Sequence, residues 1–170
     1  MNGKQADKLL LLISEGDNAA FEQLYLQTKR GVFAFLYTYF TNIHDAEDAM
    51  QTVYLKIKQN ISSYKPGTNG RAWILQIAKN HALNEIAKKK RVDLVGAVED
   101  TPYTPDDGSV MDAMKRALTE EEQRIITLHV LWGYKHREIA DILGCPTGTV
   151  TSKYKRAIQK MQIALKEEKQ

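Results

Sequence analysis

Apolar residues recur at spacings of three and four over the first forty positions. Leu9, Leu12 and Ile13 form one set, Phe21, Leu24 and Tyr25 a second, and Val32, Phe35, Leu36 and Tyr39 a third. That period belongs to helices with one buried face. Gly16-Asp17-Asn18 interrupts it and predicts a turn with a new helix start. Asn42 is placed to cap a helix running to about Asn60, with Asp45, Glu47 and Asp48 near its start, where negative charge suits the dipole. Met50, Val53, Tyr54, Ile57 and Ile61 would be its buried stripe. Residues 62–70 (SSYKPGTNG) carry two turn signals and predict a loop. A helix over about 71–90 follows and ends in a basic run, favourable at a helix C-terminus. Turn clusters at Gly96, Thr101-Pro102 and Pro105–Gly108 predict a linker. From about Met111 the helical period returns, with breaks at Gly133 and at Gly144-Cys145-Pro146, giving three or four helices. Strand alternation is essentially absent. The expectation is an all-α chain of two small helical domains, residues 1–92 and 113–170, joined by an acidic linker over 93–112.

Composition changes the picture mainly by exclusion. The longest apolar-looking stretch, Val32 to Phe40, is nine residues, far below the roughly 20 a membrane helix needs. No membrane insertion is expected. The start, MNGKQADK, has no apolar signal core, so the expected location is cytoplasmic. One Cys among 170 residues leaves no intramolecular disulfide and no multi-cysteine zinc site. His44, His81, His129 and His136 show no paired ligand spacing and read as structural or surface residues; Cys145 reads as a small buried one. No nucleophile–base pair or phosphate loop is present, so neither an enzyme nor a cofactor is expected.

The net charge of +3 is modest, but charge is sorted along the chain. Residues 79–91 hold five Lys or Arg and one acid, 92–114 hold six acids and no base, and 151–160 hold four bases and no acid. Two cationic blocks therefore flank an anionic connector (Asp93, Glu99, Asp100, Asp106, Asp107, Asp112). Such a connector would lie in a cationic nucleic-acid path of a partner, cover the basic faces of its own domains, or simply be solvated.

The C-terminal half carries the first chemical signal. HREIADIL (136–143) is a short helix that Gly144 can end with a positive φ. Pro146 suits the first turn of the next helix. There Val150, Tyr154, Ala157, Ile158, Met161 and Leu165 form one apolar stripe, and Thr151, Ser152, Lys155, Arg156 and Gln159 lie opposite. A tight helix pair whose second member has a polar, basic outer face suits a DNA major groove. Lys155 and Arg156 can reach phosphates or guanine edges, while Thr151 and Ser152 are short enough for close approach. The run from Leu118 to Met161, LTEEEQRIITLHVLWGYKHREIADILGCPTGTVTSKYKRAIQKM, resembles the fourth conserved region of sigma factors. More loosely, it resembles the helix-turn-helix of LuxR-type regulators.

The N-terminal half separates the two. DAEDAMQTVYLKI (45–57) resembles the helix with which extracytoplasmic-function sigma factors, the small two-domain class, bind the clamp coiled coil of RNA polymerase. YKPGTNGRAWILQIAKNHALNEIAKKKR (64–91) resembles their loop and helix that read and open the −10 element. The physical character of each piece is also readable without the family. Asp48, Gln51, Thr52 and Leu55 share a face opposite Met50, Val53 and Ile57: acid, amide and leucine make a docking surface. In the next helix Trp73, Gln76, Asn80, Asn84 and Ala87 share a face opposite Ile74, Leu75, Ala78, Ala82 and Ile86, and Asn and Gln amides suit base edges. Trp73 reads equally as a core residue or as an aromatic platform for melted DNA.

The resemblance implies an alternative sigma factor. Core polymerase would be bound at Asp45, Asp48, Gln51, Thr52 and Leu55, on its clamp coiled coil, with a further contact to its flap. The −10 element would be bound by Tyr64, Lys65, Trp73, Gln76, Asn80, Asn84 and Lys88, with a base flipped from the non-template strand held at the 62–70 loop. The −35 element would be bound by Thr151, Ser152, Lys153, Lys155 and Arg156. Promoter DNA and an anti-sigma factor are the implied further partners. Three positions depart from the common pattern: Thr52, Asn84 and Ala87 stand where many members have Glu, Asp and Arg. They point to retuned core binding and −10 preference, or to a sigma-like adaptor without initiation activity.

Overall fold

The computed structural model describes residues 1–96 and 109–170. Among them are eight α-helices, one short 3₁₀ turn and no strand. The chain divides into two compact units, Met1–Thr101 and Pro102–Gln170. Most of the expected linker, 97–108, lies outside the described residues, as do four of its six acids.

Unit one contains α1 (Gly3–Ser14), α2 (Asn18–Tyr37), α3 (Ile43–Gln59), the 3₁₀ turn Ile61–Ser63 and α4 (Gly70–Asp93). Each helix starts on a short polar cap that accepts free backbone N–H groups. Asn2 accepts from Gln5 in a reciprocal capping box, Asp17 from Ala20, Asn42 from His44 and Asp45, and Asn69 from Ala72. Each such cap stabilises by about 1 kcal/mol. The core is aliphatic and aromatic, with Leu10, Leu24, Phe35, Leu36, Val53, Ile57, Ile74 and Leu75 almost wholly buried. Complete burial of a side chain of this size is worth about 1.5–3 kcal/mol. A polar pin joins α2 to α3. Thr28 donates to the Leu24 carbonyl at 2.6 Å, and its oxygen lies 2.6 Å from the Tyr54 hydroxyl. Thr28 has spent its only proton, so Tyr54 is the donor. Burial pushes the Tyr54 phenol far up, which keeps that proton in place.

α4 runs three residues beyond its expected end, through Asp93. Asp93 is therefore helical. At the other end of the expected linker, Ser109 caps α5 (Val110–Ala117) and its hydroxyl donates to Asp112 at 2.8 Å. Asp112 is buried in that cap, so it does not act as a solvated linker acid.

Unit two continues with α6 (Glu120–Val130), α7 (His136–Leu143) and α8 (Thr147–Glu167). Its core brings Ala113 and Leu118 against Ile126, Ala157 and Met161. Gly144 takes φ +69° and ends α7, as expected for a residue without a β-carbon. Pro146 sits one position earlier than expected, as the cap preceding α8. Cys145 is half-buried.

Candidate polymerase and nucleic-acid interface

On α3, burial of Ala46, Ala49, Val53, Tyr54 and Ile57 turns the opposite side to solvent. Asp45, Asp48, Gln51 and Leu55 are exposed there, and Thr52 is half-buried. Leu55 is 61% exposed although the core lies one helix-width away. An exposed leucine beside acids offers area to bury and charge to steer. The Thr52 hydroxyl is turned back onto its own helix, donating to the Asp48 carbonyl at 3.1 Å. Asp45, Asp48 and Thr52 also line an open cleft of about 800 Å³, whose other wall carries Lys88, Lys89 and Lys90 from the end of α4. Acid and base thus face the same opening from two helices. His81 also lines the cleft. It is buried, and burial, with Lys56 as a further cause, pushes its ring pKa down.

On α4, Ile74, Leu75, Ala78 and Ala82 pack inward. Gln76, Asn80, Asn84 and Lys88 form an exposed row. The Gln76 amide donates to Asn80 at 2.9 Å, which holds two neighbouring members of the row in register. Lys88 pairs loosely with Glu85 at 3.3 Å. Trp73 is half-buried and meets the Tyr64 ring at 5.2 Å between centroids. Its packing on Tyr64 and its partial exposure leave both readings open. Lys65 is exposed with the rest of 65–69. Tyr64 requires a correction. Its ring is only 7% exposed and its hydroxyl donates to Asp7. Burial and the Asp7 bond push the phenol up to about 12. Tyr64 anchors the loop from beneath and does not offer its ring to a ligand.

The two C-terminal helices place the rest. Ile139 and Ala140 of α7 and Val150 of α8 are buried in the turn between them. Ser152, Lys155 and Arg156 project outward and are exposed. Two expected members of that face turn inward. Lys153 forms an ion pair with Glu121 of α6. Thr151 is half-buried; it donates to the Thr147 carbonyl and its oxygen meets His136 Nδ1, both at 3.1 Å. The reason is angular: on α8 both positions border the apolar stripe, so their side chains reach neighbouring helices. Lys160 is similarly engaged, with both Glu122 oxygens at 2.8–2.9 Å. Acids at the start of α6 thus take up two of the four bases of the 151–160 block and leave Lys155 and Arg156 at the surface.

Sequence reasoning passed over three features. Arg137 and Lys135 add exposed charge at the start of α7. His129, His136 and Tyr154 form a three-ring cluster joining α6, α7 and α8, with centroids 4.8–5.2 Å apart. Asp7 reaches the 62–70 loop from α1. Only the first had a signal, since both bases flank the histidine that begins the short helix. The other two depend on long-range packing.

Among the described residues no group of His, Cys, Asp and Glu could hold a metal ion. None of their helices is long and apolar enough to cross a membrane.

Comparison with known proteins agrees with this layout. The family model for Sigma-70 region 2 matches residues 24–92, and that for Sigma-70, region 4 matches 110–161. RNA polymerase sigma factor CarQ of Myxococcus xanthus is 27% identical, over 90% of this chain and 93% of its own. The ECF RNA polymerase sigma-E factor of Escherichia coli is 26% identical, over 92% of this chain and 93% of its own. Among solved structures, the sigma factor RpoE of Bartonella quintana, crystallised with the anti-sigma factor NepR, is 25% identical with a TM-score of 0.68, covering 86% of this chain and 96% of that one. A LuxR-type regulator accounts for one of the two matched regions; a sigma factor accounts for both, in order. The chain belongs to the extracytoplasmic-function sigma factors and acts in promoter-specific initiation of transcription.

Proposed function

We propose that this sigma factor divides its work among three surfaces. The exposed face of α3, with Asp45, Asp48, Gln51 and Leu55, docks core RNA polymerase on its clamp coiled coil, and unit two makes a second contact with the flap. The row Gln76, Asn80, Asn84 and Lys88, with Trp73 and the 65–69 loop, takes the −10 element and helps open the duplex. Ser152, Lys155 and Arg156, supported by Arg137 and Lys135, take the −35 element. Thr151, Lys153 and Tyr64 serve these surfaces as supports. The phosphodiester chemistry stays with the polymerase. An anti-sigma factor is a further partner, by analogy with the complex solved for the Bartonella quintana relative.

One observation carries the reading. Asp45, Asp48, Gln51 and Leu55 on α3 and the row Gln76, Asn80, Asn84 and Lys88 on α4 are exposed, while the opposite faces of the same two helices pack into the core of unit one. The test is co-migration of the full chain with purified core polymerase of the source bacterium, beside the double variant Asp48→Arg/Leu55→Arg. Wild type is expected to co-elute at micromolar concentration and the variant to elute free. Absence of binding by a folded wild type would refute the docking assignment.

A further inference from the structure

The loop assigned above to the −10 strand is held from beneath by one carboxylate of α1. Asp7 Oδ1 accepts the Tyr64 hydroxyl and also the backbone N–H of Gly70, the latter at 2.7 Å. Tyr64 and Gly70 are buried, and all the residues between them, Lys65 to Asn69, are exposed. A single oxygen therefore ties both ends of the exposed run. The approach is close enough to restrict what can stand at Gly70. A β-carbon there would lie 2.9 Å from Asp7 Oδ1, 2.9 Å from Leu10 Cδ1 and 3.1 Å from the Ala6 carbonyl carbon. The Tyr64 ring, fixed by this bond, in turn supports Trp73 at 5.2 Å. Asp7 lies outside the stretch that matches the region 2 family model, which begins at residue 24.

We propose that Asp7 is a positioning residue for −10 recognition, holding both ends of the 65–69 loop in the shape that receives an unstacked base. The proposal rests on the assignment of that loop to the −10 element. Its physical basis is preorganisation. A loop tied at both ends gives up little conformational freedom when a strand enters, whereas one released at its base must be ordered by the ligand. Removing the carboxylate would also leave two buried donors without their acceptor, a state the loop escapes only by changing shape.

The test uses holoenzyme made from the full chain and core polymerase of the source bacterium. A promoter is first located by sequencing the transcripts this holoenzyme starts on genomic DNA. Each base of its −10 non-template strand is then replaced in turn, and initiation from the preferred base is divided by initiation from the others. For Asp7→Ala that ratio is expected to narrow about tenfold at the position the loop reads, the order of effect of one lost buried acceptor. Core affinity and the effects of −35 substitutions are expected to stay at wild-type values. Asp7→Asn keeps an acceptor oxygen and is expected to restore most of the ratio. Should Asp7→Ala not fold, Tyr64→Phe removes one of the two donors, keeps the ring, and should narrow the same ratio to a smaller extent. A residue that merely holds the fold would lower initiation on every template by one factor and leave the ratios alone. That result overturns the proposal, as does an unchanged profile. A wild-type holoenzyme whose initiation ignores every −10 substitution would instead remove the loop assignment, and the proposal with it.

Discussion

Glu122 serves three elements at once. It sits in the capping box of α6 with Thr119, is almost wholly buried, and receives Lys160 from α8. Burial raises its carboxyl, but the Lys160 ammonium and the Thr119 donors outweigh that and hold it below its usual value of 4.5. His136 is shifted for a different reason: burial, and then the neighbouring His129, push its ring below its usual 6.5. Both shifts give the same sign. An imidazole held neutral by the fold loses stability as pH falls below the unfolded value, where the unfolded chain takes up a proton that the folded one refuses. A carboxylate held charged contributes stability above its usual value and loses it as pH falls through the lower, folded one. Unit two is therefore expected to weaken in two stages on acidification, first below about 6.5 and then below about 4.5. Trp73→Phe leaves Trp132, buried in unit two, as the only tryptophan, so its fluorescence during denaturant unfolding at a series of pH values would follow both stages. His136→Phe in that background should abolish the first stage and keep the second. The long-range part of each role was not announced in the sequence: His136 reads there as structural or surface, and the Thr119–Glu122 capping box is local, but His129 and Lys160 reach these residues from other helices.

At the scale of an element, α8 shows how a basic block is sorted by its neighbours. The four bases of 151–160 are equivalent as text, yet two are spent on Glu121 and Glu122 and two reach solvent. The two pairs should therefore fail differently. Lys155→Ala and Arg156→Ala are each expected to weaken binding of the full chain's holoenzyme to promoter DNA and to lower its salt dependence by about one unit of slope. Lys153→Ala and Lys160→Ala are expected to leave that slope alone and to lower the stability of unit two, with the larger loss, about 1–3 kcal/mol, at Lys160, where the buried Glu122 would be stranded. Equal slopes for all four variants would contradict the sorting. The outward direction of Ser152, Lys155 and Arg156 was legible from the helical period, because exposure opposite an apolar stripe follows from backbone geometry alone. The inward turn of Lys153 and Thr151 was not, because both border that stripe and only the placement of α6 and α7 decides the matter.

At the scale of the whole molecule, the two units are useful because they are tied together. Under the proposed function each unit makes a modest DNA contact, and joining two such contacts on one chain makes the second an intramolecular event. Supplying the chain as two separate pieces, 1–101 and 102–170, is expected to lower initiation at the promoter by about 10²-fold or more at micromolar protein, measured by runoff transcription with core polymerase. Near-equal initiation from the separate pieces would show that the tether contributes nothing. The sorting of acids between the two basic blocks was visible in the sequence, but its use depends on what the connector meets.

What the sequence determined by itself was local. Helical periods, the helix start at Gly16-Asp17-Asn18, the cap at Asn42 and the glycine break at Gly144 all arise from interactions within a few residues, so reading along the chain recovers the helices and their two-part arrangement. Which faces look outward on α3, α4 and α8 followed from the same periods. Tertiary structure alone decided which of those side chains are free to act. Tyr64 is withdrawn beneath its loop by a carboxylate 57 positions earlier, and Glu122 is matched to a lysine 38 positions later. Such pairings depend on how helices pack, and packing is set by the shape of the whole core rather than by any stretch of residues. The sequence shows where polar chemistry is available; the fold determines which of it supports the structure and which is left for polymerase and DNA.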